Sequence, residues 1–561
     1  MNVSNTIEVR FAKTGRGGVG EDKTVTCPFG VPVDTFLESF GEIEGGVAAV
    51  RVNNEILPLQ AKLEINCTLE PVPLAGPDGA MIYRRSLAFL LAVAARELFP
   101  SRSLLVGHSL GHSYYYTFAD GKKPAVGETA ALEREMRAVV KEDRPISSGY
   151  LSYTEALSLF EKNRQADTLL LFEQRSESKI RVNQCKGFTD LYVEPLVRKT
   201  GLLDCFSLME YQDGFLLRYP GVGQKTIAPF EDSPSIFSVY REYKKWGRIV
   251  GVHAVGRLNS LVNTRRIRDY IRIAEAFQAK KLSEIAGRIY EKRETVRVIL
   301  IAGPSSSGKT TTAKRLSIEL QVLGLSPILV SLDDYYRHPD QAPRDKNGRP
   351  DLECLEALDI AYLNKQLVEL LEGKEVDIPL FDFKTGLRKE RGRPVRLDEQ
   401  SILVMEGIHA LNDACTPQVG RERKFKLYVS ALTQLNLDDH NRIPTSDNRL
   451  LRRMVRDNQF RGTGAAKTIQ VWPSVQAGER KHIFPYQDGA GAAFNSALDY
   501  ELAVLKFYAE PLLRSVKPNM AEYAEARRLL SFLENFAPIP PQYVPGTSIL
   551  REFIGESEFK Y

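Results

Sequence analysis

Along the chain, apolar residues alternate with polar ones over short runs and recur at helical spacing over longer ones, so strands and amphipathic helices are both predicted. Thr6–Phe11 and residues 23–27 alternate and read as paired strands around the Gly-rich turn at 15–20. Residues 33–40 read as a short helix, and Val47–Val52 as a strand ending in the turn Asn53-Asn54. A small α+β domain over 1–72 follows, with Pro71, Pro73 and Gly76-Pro77 punctuating its end. From Tyr83 a helical pattern runs through Leu87, Leu90, Leu91 and Ala94 to Leu98, and a mixed stretch continues to about Pro220. Residues 230–295 are helical in pattern. Ile267, Tyr270, Ile271 and Ala274 share one face, as do Leu282, Ile285, Ala286 and Ile289. Charged residues cover the other face, the pattern of a solvated surface, and 226–295 is expected to be a helical connector.

A continuous apolar run at 296–302 then marks the strand of a buried parallel sheet. Strand and helix patterns alternate from there to about Val516, which predicts a layered α/β domain over 296–515. Leu498, Leu502, Leu505, Ala509 and Leu512 make one apolar stripe late in this region. A last helix over 519–536, a Pro-rich stretch and a mixed tail complete the segment 516–561. A chain of 561 residues exceeds one compact core, and a multidomain protein of α+β and α/β parts is expected.

Composition changes this picture little. A formal charge of +5 is small for the length and gives no warrant for a membrane or nucleic-acid partner. The longest apolar run, 87–95, is too short to span a bilayer, and the first residues lack the layout of a secretory signal. The six cysteines are scattered with no Cys-x-x-Cys pair, which suits reduced, mostly buried thiols in a cytoplasmic protein.

The strongest chemical signal is Gly303-Pro304-Ser305-Ser306-Ser307-Gly308-Lys309-Thr310, a complete G-x-x-x-x-G-K-[ST] match followed by Thr311. It leaves a predicted strand and opens a predicted helix over 310–323, the context its mechanism requires. Backbone N–H groups freed by the glycines converge on phosphate oxygens at a helix N-terminus. Lys309 would reach the β- and γ-phosphates, and the Thr310 hydroxyl would help hold Mg²⁺. A bare Gly/Ser turn without a ligand is the bland alternative, and the strand and helix on either side argue against it.

A P-loop does not by itself separate a kinase from an ATPase or GTPase. The strand at 327–331, expected beside the P-loop strand, ends in Asp333-Asp334-Tyr335-Tyr336, where a carboxylate can take a proton from an attacking hydroxyl; taken alone, the motif fits an acidic turn as well. The strand at 401–405 ends in Glu406-Gly407, a position suited to orienting Mg²⁺. Arg449, Arg452, Arg453 and Arg456, followed by Arg461, include helically spaced residues that could clamp a transferring phosphoryl group from a lid.

In this order the four elements resemble the uridine/cytidine kinase family, close to phosphoribulokinase, over roughly 296–515. The resemblance implies ATP and Mg²⁺ as cofactors, a small nucleoside as substrate and a 5′-monophosphate as product. It implies Asp333 as general base, with Lys309 in catalysis. Residues 303–311, Arg456 and Arg461 are implied on ATP, and Thr310 and Glu406 on the metal. Tyr336, Glu353, Phe381 and Arg453 are implied on the substrate. The chain departs from the family where Phe381 replaces a tyrosine, Gly386 stands at an expected histidine and Thr463 at an expected arginine. The base is therefore open, as are another small alcohol such as a sugar phosphate and an ATP-switched RNA-binding role.

The first half resembles the front end of threonyl-tRNA synthetase. Ala48-Ala49-Val50-Arg51-Val52-Asn53-Asn54-Glu55 and Tyr83-Arg84-Arg85-Ser86 carry the likeness to its β-grasp TGS domain (1–72) and editing-type domain (76–225). His108-Ser109-Leu110-Gly111-His112 falls at an H-x-x-x-H position, where two histidines on one helix face could bind metal. The partner stretch reads Asp190-Leu191-Tyr192-Val193-Glu194-Pro195-Leu196, without the family's cysteine and histidine, so His108 and His112 are expected to be structural. Nucleic acid remains open as a partner for this half, and a homo-oligomer is the expected assembly.

Overall fold

The computed structural model describes residues 6–12, 23–39, 46–344, 348, 351, 353–382 and 387–561. The turn expected at 15–20, the last residue of the helix expected at 33–40, and Gly386 lie outside them.

The first sheet runs in the order Lys23–Pro28, Thr6–Phe11, Cys67–Pro73, Val47–Val52, Glu55–Leu57. Its alternation places Ile7, Val9 and Phe11 inward against Val33, Phe36 and Leu37 of the helix Val33–Glu38. Asn53 and Asn54 take φ of 48° and 64°, the left-handed pair that a two-residue hairpin needs and that asparagine tolerates.

Helix Pro77–Leu98 begins six residues before Tyr83, because Pro77 stands at a first-turn position where its missing N–H costs nothing. It packs with a four-stranded sheet in the order Ser207–Tyr211, Gly214–Arg218, Ser113–Phe118, Leu104–Ser109, and a three-stranded sheet (Ser147–Ser152, Lys179–Cys185, Phe188–Leu191) lies beyond. The helix expected to carry His108 and His112 is replaced by a hairpin: His108 is the penultimate residue of Leu104–Ser109 and His112 directly precedes Ser113–Phe118. His108 is buried with its ring stacked on Tyr240 at 5.3 Å, whereas His112 is exposed. Burial pushes the His108 imidazole down to about 3, so the ring is neutral. Among the described residues no cluster of three or more His, Cys, Asp or Glu is placed to hold a metal ion.

Three helices, Pro234–Ile249, Val255–Asn263 and Ile267–Tyr290, occupy the predicted helical stretch. The predicted apolar face of the last is buried in one core with the later sheet and with Phe160 and Val182 of the first half.

The later sheet has five strands, all parallel, ordered Ser326–Ser331, Ser401–Glu406, Val298–Ala302, Lys424–Ser430, Ala492–Asn495. Every residue of Val298–Ala302 is buried, as its apolar run demands. One expectation is corrected here. Ser326–Ser331 does not neighbour the P-loop strand, because Ser401–Glu406 enters between them. Successive connections thus run to opposite sides of Val298–Ala302, opening a crevice at its carboxyl end, where ligands bind in open α/β sheets. Helices Thr445–Arg461, Ala465–His482, Glu501–Arg514 and Tyr523–Glu534 pack around this sheet. No helix of the described residues is long and apolar enough to cross a membrane.

Candidate functional site

From Ala302 the chain turns through 303–308 into helix Lys309–Val322. A Cβ on Gly303 would lie 1.9 Å from the Val429 carbonyl oxygen of the adjoining strand, so only glycine fits. Ser306 and Gly308 take φ of 58° and 81°, which curls the loop around the helix N-terminus. Lys309 Nζ folds back onto the Pro304 carbonyl at 3.3 Å.

Side chains from two strand ends and from the first turn of helix Lys309–Val322 meet beside it. The Thr310 hydroxyl donates to Glu406 Oε1 at 3.3 Å, and the Ser331 hydroxyl donates to the same oxygen at 3.2 Å. Ser331 Oγ in turn accepts the Asp333 N–H at 3.3 Å. Burial pushes the Glu406 carboxyl up to about 7; the Asp333 charge adds to the rise and Lys309 opposes it. Burial likewise raises Asp333, against Lys309, Arg461 and Arg456. Asp334 is turned away, and its Oδ1 accepts the Phe381 N–H at 2.9 Å.

Tyr336 and Phe381 stand 5.8 Å apart between ring centres, and burial raises the Tyr336 phenol. Glu353 backs onto helix Ala465–His482 so closely that a Cβ on Gly478 would lie 2.9 Å from its Cβ. Burial pushes its carboxyl up to about 7, with Arg453 opposing.

Helix Thr445–Arg461 lays its arginines on two faces. Arg453, Arg456 and Arg461 reach the single carboxylate of Asp457, at 3.2, 2.9 and 3.4 Å. Three cations on one carboxylate leave net positive charge toward the P-loop, and Arg453 also donates to Ser305 Oγ at 2.9 Å. Arg452 is corrected from a lid residue. It is fully buried, pairs with Glu501, and donates to the Ser496 carbonyl at 2.9 Å and the Ser306 carbonyl at 3.3 Å. Arg449 donates to the Ser305 carbonyl at 2.9 Å and pairs with Glu479, whose Oε1 accepts the Ser305 N–H at 2.9 Å. Two buried ion pairs thus hold the loop from behind. Sequence reading missed Glu479, Glu501 and Glu552, which lie far from the motif in sequence and carry no local spacing signal.

A parallel α/β sheet with a P-loop at its crevice, and carboxylates at the ends of two further strands, defines a P-loop phosphotransferase type of domain. In agreement, residues 298–502 match the model of the Phosphoribulokinase / Uridine kinase family, so the chain carries a domain of that family. The N-terminal region matches threonine–tRNA ligases. One, from Desulforamulus reducens, is 32% identical over 180 residues, covering 31% of this chain and 28% of the ligase. Threonine–tRNA ligase 2 of Bacillus subtilis is 31% identical over 179 residues, with the same coverage of 31% and 28%. The chain thus spans little more than a quarter of these relatives' length. Among solved structures, a possible uridine kinase from Bacillus stearothermophilus has 20% identity and a TM-score of 0.24, covering 36% of this chain and 89% of that one. A putative fructose transport system kinase from Silicibacter sp. TM1040 has 16% identity and a TM-score of 0.25, covering 38% and 98%. Both scores are low.

Proposed function

We propose that this protein transfers the γ-phosphoryl group of ATP to the 5′-hydroxyl of a nucleoside. The observation that carries this reading is the convergence of Lys309, Thr310, Asp333, Glu406 and an arginine-rich helix face on one crevice, with Tyr336, Phe381 and Glu353 beside it.

The Thr310 hydroxyl and the Glu406 carboxylate, 3.3 Å apart, are hard oxygen donors of the kind Mg²⁺ takes. When bound, that ion neutralises charge on the phosphate oxygens. Lys309 leaves the Pro304 carbonyl for the phosphates, and Arg456 and Arg461 hold the charge that spreads as the phosphoryl group moves. Asp333 accepts the proton of the attacking hydroxyl while the new oxygen–phosphorus bond forms and the bond to ADP breaks. The proton then leaves to solvent. Burial raises the Asp333 carboxyl and so strengthens it as a base. Tyr336 and Phe381 offer apolar faces to a base, and Glu353 and Arg453 offer polar contacts to a ribose.

A second reading, an acceptor that already bears a phosphate, draws support from the three arginines on Asp457. The N-terminal likeness to tRNA ligases supports a third, an RNA-binding protein switched by ATP. ADP release with Mg·ATP against a panel of nucleosides and sugar phosphates separates the three. Turnover with one nucleoside is expected, with Lys309→Ala and Asp333→Asn each lowering it by about 10²–10⁴-fold. Turnover on a sugar phosphate alone would favour the second reading. Turnover on no acceptor would sink both kinase readings and favour the third.

A further inference from the structure

The third residue of the P-loop helix does not face an open crevice. Thr311 presents an N–H in the first turn of Lys309–Val322, one of the four donors that a helix leaves without a partner. The Glu552 carboxylate accepts that N–H at 3.2 Å and the Thr311 hydroxyl as well. The Tyr561 hydroxyl lies 2.8 Å from the same threonine oxygen. Lys314, one turn further along, is bonded to the Lys560 carbonyl, and its ammonium sits 4.0 Å over the Tyr561 ring. Ile549 packs against Gly308, where a Cβ would meet its Cγ2 at 2.7 Å.

These contacts come from one segment, 546–561, and its base is also anchored at points away from the P-loop. Arg551 donates to the carbonyls of Pro541 and Val544 at 3.1 and 2.8 Å, and Ile549, Leu550, Phe553 and Ile554 are buried. Glu552 projects from this anchored turn, whereas Tyr561 is 60% exposed. Release of Glu552 therefore needs only a side-chain rotation and a shift of the last residues.

We propose that Glu552 is a tethered competitor for the nucleotide, its carboxylate standing where a phosphate group would take the Thr311 donors. The inference rests on the P-loop reading of the proposed function. A carboxylate and a phosphate are both anions that only accept from these groups, so they cannot share them, and charge repulsion opposes both being near. Nucleotide thus binds the fraction of molecules in which Glu552 has turned away, and apparent affinity falls by that fraction. The segment sets a threshold for nucleotide at the very loop that binds it.

Calorimetric titration of the full chain with a non-hydrolysable ATP analogue and Mg²⁺ tests this. Glu552→Gln, which keeps the shape and removes the charge, is expected to tighten binding about fivefold to tenfold, and Glu552→Ala at least as much. Hydrogen exchange of 556–561 in the wild type is expected to rise on adding the analogue, while 549–554 stays unchanged. Equal or weaker binding by both variants, or exchange that slows, would overturn the competitor while leaving the P-loop reading intact. Binding to neither wild type nor variants would overturn that reading, and the competitor with it.

Discussion

Glu406 sits where the demands of folding and of chemistry conflict. Its carboxyl is pushed up to about 7 from the ordinary 4.5, chiefly by burial, yet only the ionised form can hold a metal ion. Between those values the folded chain keeps a proton that the unfolded chain has released, so stability falls as pH rises through the window. Asp333 adds to the cost in the same direction, since burial raises its carboxyl too and its charge adds to the rise at Glu406. Glu406→Gln removes the charge while leaving an oxygen for the Thr310 and Ser331 hydroxyls. The variant is expected to melt a few degrees above the wild type at about pH 8, with the gain vanishing near pH 5, while turnover is lost. Thermal melts at the two pH values check this; a difference that ignores pH would show that burial of Glu406 is not the cause.

Helix Thr445–Arg461 sorts adjacent arginines into opposite tasks by its 100° step. Arg452 points into the core with Leu451 and Val455, while Arg453 faces the crevice. Arg452→Met would strand the Glu501 carboxylate, which is 1% exposed, and is expected to cost about 3–5 kcal/mol. The double change Arg452→Met with Glu501→Leu should recover most of that. Denaturant unfolding followed by the fluorescence of Trp246 and Trp472 reads both, and a double variant no better than the single would refute the pair as the reason. This sorting was not legible in the sequence, because Glu501 lies 49 residues from Arg452 and nothing local links them. The P-loop was legible because its chemistry is held in eight contiguous residues with a strand before and a helix after. Strand order was not, since Ser401–Glu406 takes its place between the other two only through long-range pairing. A spacing of four between His108 and His112 fits a helix face and a hairpin end alike. The run of tyrosines, threonine and phenylalanine in Ser113–Phe118, residue types enriched in strands, was the available sign of the hairpin.

On the scale of the whole molecule, the first half is tied to the kinase-like half through a buried polar seam. The Val106 N–H donates to the Asp439 carbonyl at 2.9 Å, and the Asn436 side-chain amide donates to the Val106 carbonyl at 2.7 Å. At its centre His440 Nδ1 meets Asp190 Oδ2 at 3.1 Å, with the Phe188 ring beside it. The Asp190 carboxylate thus serves the seam between the two halves. Burial works against charge on His440, but Asp190, Asp438 and Asp439 outweigh it and hold the imidazole up to about 9. A histidine raised in the folded state contributes stability that is complete below its usual 6.5 and is lost as pH rises through about 9. Asp438 and Asp439, raised to about 6 and about 7, lose stability in the same direction but finish earlier. The window from about 7 to 9 therefore belongs to His440. Lys244, lowered to about 8 by burial, works in the opposite sense above that value, so the comparison must be between variants at each pH. His440→Gln should be less stable than the wild type near pH 7 and approach it near pH 9. Exchange of the amides in Leu104–Ser109, which border the seam, should rise in the wild type over the same interval. A gap in melting temperature that stays constant from pH 7 to 9 would show that His440 joins the halves by shape and hydrogen bonding, without its charge.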